Sequence, residues 1–342
     1  MFVGFISDNA AGVHPRILDA VVRANSGYCP AYGEDDYCRQ AQAEFRRLFG
    51  GDIEVFLALS GTGCNVLSLR SALRPWQAVI CSDVAHINMD ESGAPEWGAG
   101  SKLLAVPSVN GKISPDSLDI YLPDIKDCHH ATPHLLSITQ TTEKGAVYTP
   151  EEIRALADKA HANGLLVHMD GTRLANAVAA LEPRGVNLRA LTRDAGVDLL
   201  SFGGTKNGLM LGEAVVFFRP ELAEDFRTMR KQSLQLVSKM RFVAVQFIEA
   251  LRDGLWLENA RHANKMARLL ADGLAGVPYM TVREPEANAV FVRMEPERMA
   301  RLLQDFDFHE TDSASHEARL MCSFATTEEE VAAFVRAARA LI

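Results

Sequence analysis

Two apolar runs in this chain end in groups that could do chemistry together. Leu199-Leu200-Ser201-Phe202 runs into Gly203-Gly204-Thr205-Lys206-Asn207-Gly208. Residues 197–202 read as a buried strand, the paired glycines let the backbone turn sharply, and Lys206 is offered at the mouth of the core. Desolvation lowers the pKa of such an ammonium and favours the neutral amine, the form that condenses with an aldehyde. The second run, residues 165–169, ends in Asp170-Gly171-Thr172-Arg173. A carboxylate at the buried end of a strand needs a cationic partner to stay ionised, and a pyridinium nitrogen is the partner that an imine-forming lysine implies. The pair therefore points to pyridoxal 5'-phosphate. Either half alone is an ordinary surface lysine or a structural aspartate.

Three further groups fall where such a cofactor needs them. Ser60-Gly61-Thr62-Gly63 lies between a strand and a helix, so its N–H groups and the Thr62 hydroxyl can hold a phosphate at a helix N-terminus. His86 follows the strand at 78–81, where an imidazole can stack on the pyridine ring and share in proton transfer. Arg173 can place a guanidinium near the cofactor's phenolic oxygen or a substrate carboxylate, a structural salt bridge being the alternative. All of these follow strands, and in a parallel sheet they share the C-terminal edge, where such folds bind ligands.

The elements that position them alternate along the chain. Strands are expected at 54–59, 78–81, 103–106, 135–139, 165–169, 198–202 and 214–218, about seven in all, mostly as continuous apolar runs separated by helices. That is the pattern of a largely parallel sheet covered on both faces, an α/β fold. A helix at 150–163 is signalled by Thr149 as N-cap, Pro150, Glu152 closing a capping box, and Gly164 past the end. A helix at 39–49 follows a polar stretch, 27–37, long enough to have work of its own. Beyond Pro220 long helical patterns fill 221–234, 239–252 and 255–275. Short strands at 279–283, 289–293 and 320–323, a helix at 296–305, and a last helix capped by Thr327 with Glu330 complete a smaller α+β unit. The division is expected as residues 1–245, the large cofactor-binding domain, and 246–342, the small one.

With 342 residues, 48% of them hydrophobic, the chain can bury a large core. A net charge of −9 argues against nucleic acid or an anionic membrane as the main partner and fits a small-molecule substrate. No apolar run is long enough to span a membrane, and the first residues lack the basic and apolar regions of a secretion signal. The six cysteines, Cys29, Cys38, Cys64, Cys81, Cys128 and Cys322, are scattered without CxxC spacing. They read as reduced thiols of a cytoplasmic protein, with no metal site.

The motifs Tyr32-Gly33-Glu34-Asp35, Gly61-Thr62, Ala85-His86, His168-Met169-Asp170-Gly171-Thr172-Arg173 and Phe202-Gly203-Gly204-Thr205-Lys206-Asn207-Gly208 together resemble the low-specificity L-threonine aldolases. These belong to the β-eliminating lyase group of fold-type I pyridoxal-phosphate enzymes, and the likeness extends over nearly the whole chain. The resemblance implies that Lys206 holds the cofactor, Asp170 faces its ring nitrogen, Gly61 and Thr62 cradle its phosphate and His86 stacks on its ring. It further implies that Ser7 and Arg319 hold the substrate carboxylate, that His129 reaches the substrate's β-hydroxyl, and that Tyr32 belongs to the active site. Arg241 resembles a basic residue that a neighbouring subunit lends to the phosphate, in a tetramer of catalytic dimers. The implied reaction is retro-aldol cleavage of a β-hydroxy-α-amino acid to glycine and an aldehyde, with His86, His129 or a water as base. The alternatives are another fate for the same bound substrate (β-elimination, transamination, hydroxymethyl transfer) or a protein that binds the cofactor without turnover. The chain departs from the family's commoner residues at Thr172, where alanine is more usual, and at Gly63-Cys64. His130 stands beside His129 as a second candidate.

Overall fold

Most of the expected apolar runs form strands because they are buried on both faces, and the helices between them supply the cover. A computed structural model describes residues 3–342; Met1 and Phe2, part of the opening stretch read above, lie outside the described residues. A two-residue strand β1 (Val3–Gly4) and helices α1 (Pro15–Ala24) and α2 (Asp36–Phe49) precede the main sheet. That sheet is built from β2 (Glu54–Ala58), β3 (Gln77–Ser82), β4 (Lys102–Val106), β5 (Thr132–Thr139), β6 (Leu166–Gly171), β7 (Leu199–Gly203) and β8 (Glu213–Phe217). Between them run α3 (Gly61–Ala72), α4 (His86–Met89), α5 (Ala94–Ala99), α6 (Pro150–Ala162) and α7 (Leu174–Leu181).

The strand order is β2-β8-β7-β6-β5-β3-β4. All neighbours are parallel except β8, which pairs antiparallel with both β2 and β7. The connection from β7 to β8 is too short for a crossover helix, so the chain has to turn back. The cap of α6 is as expected, with Thr149 and Glu152 satisfying each other's backbone N–H groups. The acidic stretch before α2 has a local structural use: the Asp35 carboxylate accepts the Cys38 N–H at 2.9 Å and starts the helix at residue 36 rather than 39.

Past the sheet, α8 (Phe226–Gln232) is shorter than the expected 221–234 helix, while α9 (Arg241–Arg252) and α10 (Leu255–Leu274) match their patterns closely. The small unit holds β9 (Met280–Arg283), β10 (Ala289–Met294), α11 (Pro296–Leu302), β11 (Phe306–Asp307), β12 (His309–Asp312), β13 (Glu317–Met321) and α12 (Glu328–Ala340). Its four-stranded antiparallel sheet has the order β12-β13-β10-β9. Strand β12, polar and exposed along its length, carried no apolar signal.

The expected division at residue 245 falls inside α9, whose buried face (Val243, Ala244, Phe247, Ile248) packs in the large core. Helix α10 carries residues of both cores: Leu255, Trp256 and Ala260 belong to the large one, Met266, Ala267 and Leu270 to the small one. The N-terminal segment crosses back to the small unit, with β1 beside β11 and Phe5 packed edge-on against Phe334. It therefore stitches the two units together at the edge where the site lies.

Candidate active site

Gly203 decides how closely the two chemically important strand ends approach. A Cβ there would sit 2.2 Å from the Thr172 carbonyl oxygen, so only glycine lets the backbone after β7 lie against the backbone after β6. Gly208, at φ 101°, then closes the turn that carries Lys206. The result is a cleft of about 280 Å³ at the C-terminal edge of the sheet, lined among others by Gly61, Thr62, His86, Asp170, Arg173 and Lys206. The Lys206 amine makes no hydrogen bond or ion pair among the described residues, and burial, with Arg173 nearby, pushes its pKa down.

Asp170 is held from several sides. Its Oδ2 accepts from the Asn65 amide at 2.9 Å, and its Oδ1 accepts from the Thr172 N–H at 3.0 Å and from the Thr172 hydroxyl. Burial raises the carboxyl's pKa, yet the bonds from Thr172 and Asn65 outweigh it and leave Asp170 below its ordinary value. Beneath it, on the same face of β6, His168 is clasped between Ser137 (2.9 Å) and Ser201 (3.0 Å), and burial pushes its pKa down to about 4. The polar row under the carboxylate is thus neutral and fully hydrogen-bonded.

At the start of α3, the Ser60 hydroxyl accepts the Gly63 N–H at 3.1 Å. The Gly61 and Thr62 N–H groups are left, as in any helix's first turn, without an intrahelical acceptor. His86 begins α4, its ring Nδ1 lying 2.8 Å from the buried Glu91 carboxylate. Its backbone N–H donates to Glu143 Oε1 at 2.7 Å, an end-cap supplied from the loop after β5.

Arg173 takes the structural alternative in part. Its guanidinium grips the buried Asp8 carboxylate at 2.7 and 2.9 Å while still lining the cleft. Arg319, on β13, donates to the Ile6 carbonyl at 3.3 Å, and its buried Nε has no partner among the described residues. Burial, with Arg173 close by, lowers its pKa, against the pull of Asp8 and Asp90. Ser7 does not line the cleft. Its hydroxyl caps the turn at Asp8–Ala10 by accepting the Asn9 N–H, and Asn9 reaches the cleft instead.

Besides Ser7, the expected residues His129, Tyr32 and Arg241 lie outside this chain's own cleft. His129 is exposed just before β5, at the N-terminal edge of the sheet, with a strand of roughly 23 Å between it and the site. The neighbouring His130 is paired with Asp124 at 2.7 Å. Tyr32 lies against Lys231, whose amine stands 4.4 Å from the ring centre. Arg241 binds the Ser26 and Gly27 carbonyls and the Cys29 sulfur at the start of α9. For His129 the reason is topological: the loop entering a parallel strand and the loop leaving it are on opposite edges.

The sequence reading missed Asn65, Glu91, Glu143 and Glu213, all lining the cleft. Glu213 accepts the Gly204 N–H at 2.8 Å, and burial raises both Glu143 and Glu213 to about 7. The signal was slight: an asparagine one turn into α3, acids in the loops after α4 and β5, and Glu213 at the first position of β8.

A family model described as beta-eliminating lyase matches residues 4–297. The chain belongs to the beta-eliminating lyase family. Within that family it is 44% identical over 339 residues to the low specificity L-threonine aldolase of Pseudomonas sp. (strain NCIMB 10558), covering 97% of each chain. It superposes on a Leishmania major threonine aldolase with a TM-score of 0.93 at 32% identity, covering 99% of both. Aspartate aminotransferase from Thermus thermophilus, at 19% identity and a TM-score of 0.73 over 100% of this chain and 92% of that one, shares the fold alone. The architecture of this lyase is thus that of the fold-type I pyridoxal-phosphate enzymes, a seven-stranded mostly parallel sheet with a smaller antiparallel unit.

Proposed function

We propose that this protein is a pyridoxal-phosphate-dependent aldolase that cleaves L-threonine, L-allo-threonine and related β-hydroxy-α-amino acids to glycine and an aldehyde. The observation that carries the reading is the unpaired, pKa-lowered Lys206 amine facing the same cleft as the hydrogen-bonded Asp170 carboxylate. The names of its aldolase relatives support the choice of reaction.

The groups lining the cleft fit pyridoxal phosphate end to end. The Gly61 and Thr62 N–H groups suit its phosphate, Asp170 its ring nitrogen, Lys206 its aldehyde and His86 one face of its ring. When bound, the cofactor supplies the electron sink into which the electrons of the breaking Cα–Cβ bond flow. Arg319, near Arg173 and bonded to the Ile6 carbonyl of the N-terminal segment, is the guanidinium proposed to hold the substrate carboxylate and so to orient that bond. His86 Nε2, the ring nitrogen not turned to Glu91, takes the β-hydroxyl proton as the aldehyde leaves. Such general-base help is worth about 10²- to 10⁴-fold.

A second copy of the chain belongs to the same reading. Tyr32 and Arg241 lie outside their own cleft, and exposed apolar groups beside them, Tyr28 and Leu234 (81% exposed), suit contact with another subunit. A cytoplasmic location accords with six cysteines in no disulfide. No helix among the described residues is long and apolar enough to cross a membrane.

The test is direct. Purified protein should show an absorbance band near the visible edge that borohydride abolishes and that K206A lacks, and should release aldehyde from L-threonine or L-allo-threonine but not from their D-enantiomers. Protein that forms no imine with pyridoxal phosphate, or that yields a keto acid instead of an aldehyde, contradicts the proposal.

A further inference from the structure

His86 is the one histidine lining the cleft, and its ring is not free. Nδ1 lies 2.8 Å from Glu91 Oε1, and the Glu91 side chain is completely buried. The same oxygen accepts a hydrogen bond of 2.8 Å from the Asn65 amide, whose second N–H goes to Asp170 Oδ2 at 2.9 Å. One amide thus bridges two buried carboxylates, and an unbroken chain of hydrogen bonds runs from Asp170 through Asn65 and Glu91 to His86. Sequence spacing explains how it forms: Asn65 lies on the inward side of α3, one turn in, and Glu91 comes five residues after His86, just past α4.

We propose that Glu91 and Asn65 are positioning residues that act through His86: the Glu91 carboxylate holds the ring by Nδ1 so that Nε2 is the nitrogen presented to the substrate, and Asn65 locks that carboxylate to Asp170. The proposal rests on the aldolase reading above. Its chemistry is that of a carboxylate behind an imidazole. A carboxylate accepts but does not donate, so Nδ1 carries the hydrogen and Nε2 the lone pair that receives the β-hydroxyl proton. The imidazolium formed as that proton arrives is stabilised by the negative charge behind it, and the proton remains on Nε2 for return to Cα. The groups facing His86 agree. Its bond to Glu91 raises its pKa against the opposing pull of burial; Asp170 on β6 adds to the rise and Lys206 after β7 opposes it, while Glu143 meets only the backbone N–H.

The experiment combines kinetics with a readout of the ring. In cofactor-loaded protein carrying ¹³C-labelled histidine, the His86 signal is assigned by its loss in H86N and titrated in wild type, E91Q, E91D and N65S. Wild-type His86 should titrate above the ordinary histidine range. In E91Q its proton affinity should fall about tenfold or more, kcat should drop on the order of 10- to 100-fold with KM changed far less, and the acidic limb of the pH–rate profile should move. E91D should recover part of both effects. N65S should weaken the hold on His86 and also shift the visible absorbance band, because it releases Asp170 as well. Wild-type titration and wild-type kcat in both E91Q and N65S overturn the proposal; should E91Q not fold, an unmoved His86 in N65S and E91D does so. Loss of the aldolase reading has a different signature: no threonine cleavage by wild type, with the His86 titration still shifted by E91Q.

Discussion

Thr172 stands directly on Asp170, its backbone N–H 3.0 Å from Oδ1 and its hydroxyl donating to the same oxygen. The Thr172 hydroxyl adds a donor to the carboxylate that faces the ring nitrogen in the proposed complex. T172A should leave Asp170 with its Asn65 and backbone bonds and cost about 1 kcal/mol of stability at pH 7. Asp170 lies below its ordinary pKa in the folded protein, so the stability it contributes is present above about pH 4 and lost as the pH falls through the folded value. The difference between T172A and wild type should therefore narrow in acid, as urea unfolding at a series of pH values will show.

The loop acid Glu143 has the opposite sign. Burial raises its pKa from 4.5 to about 7, so the folded protein binds more protons than the unfolded chain in that window. Stability from this group is full below about pH 4.5 and lost as the pH rises to 7, by up to ~3 kcal/mol. E143Q should flatten that part of the pH–stability curve. It should also loosen α4, whose first N–H, that of His86, Glu143 caps. An unchanged slope in E143Q contradicts the assignment.

Lys206 is kept at a cost to folding. Its amine is pushed below the ordinary lysine value, first by burial and then by Arg173, so cofactor-free protein should gain stability as pH rises from the folded pKa towards 10. K206M should abolish that rise. At pH 7, without cofactor, it should be as stable as wild type or more so, by ~0–2 kcal/mol after allowance for partial exposure of the amine. Thermal unfolding of cofactor-stripped protein checks this.

The Asp8–Arg173 pair ties the N-terminal segment to the end of β6, and both side chains are largely out of water. R173M leaves Asp8 buried without its cation and should cost about 3–5 kcal/mol. D8N/R173M should cost less than R173M alone, since no uncompensated charge remains. Equal losses in the two variants would mean that packing, not charge, dominates.

Subunit sharing predicts complementation. If Arg241 serves a neighbour's site, K206A and R241A proteins, each inactive or weak, should regain activity when unfolded and refolded together, because mixed oligomers contain one intact site. Additive, unrestored activity would place Arg241 outside the machinery.

Much of the site was legible because it sits where strands stop. An apolar run ending in a lysine, another ending in an aspartate and a Gly-Thr turn before a helix are local patterns, and the edge rule for parallel sheets brings their ends together without knowledge of the packing. The seven strands were legible because each is an apolar run, and the inner ones are buried on both faces. Polar β12 was not, and neither were the place and antiparallel direction of β8, whose partners depend on contacts far along the chain.

What the sequence determined by itself was the pairing of an amine with a carboxylate at one sheet edge, because the type and spacing of Lys206, Asp170 and Gly61 are set by local burial and turn geometry. Only the tertiary structure decided which other groups join them. It turned the unremarked Asn65, Glu91, Glu143 and Glu213 into the cleft and left His129 across the sheet. A loop residue's chemistry depends on which edge its loop occupies and what desolvates it, and both are properties of the packed whole.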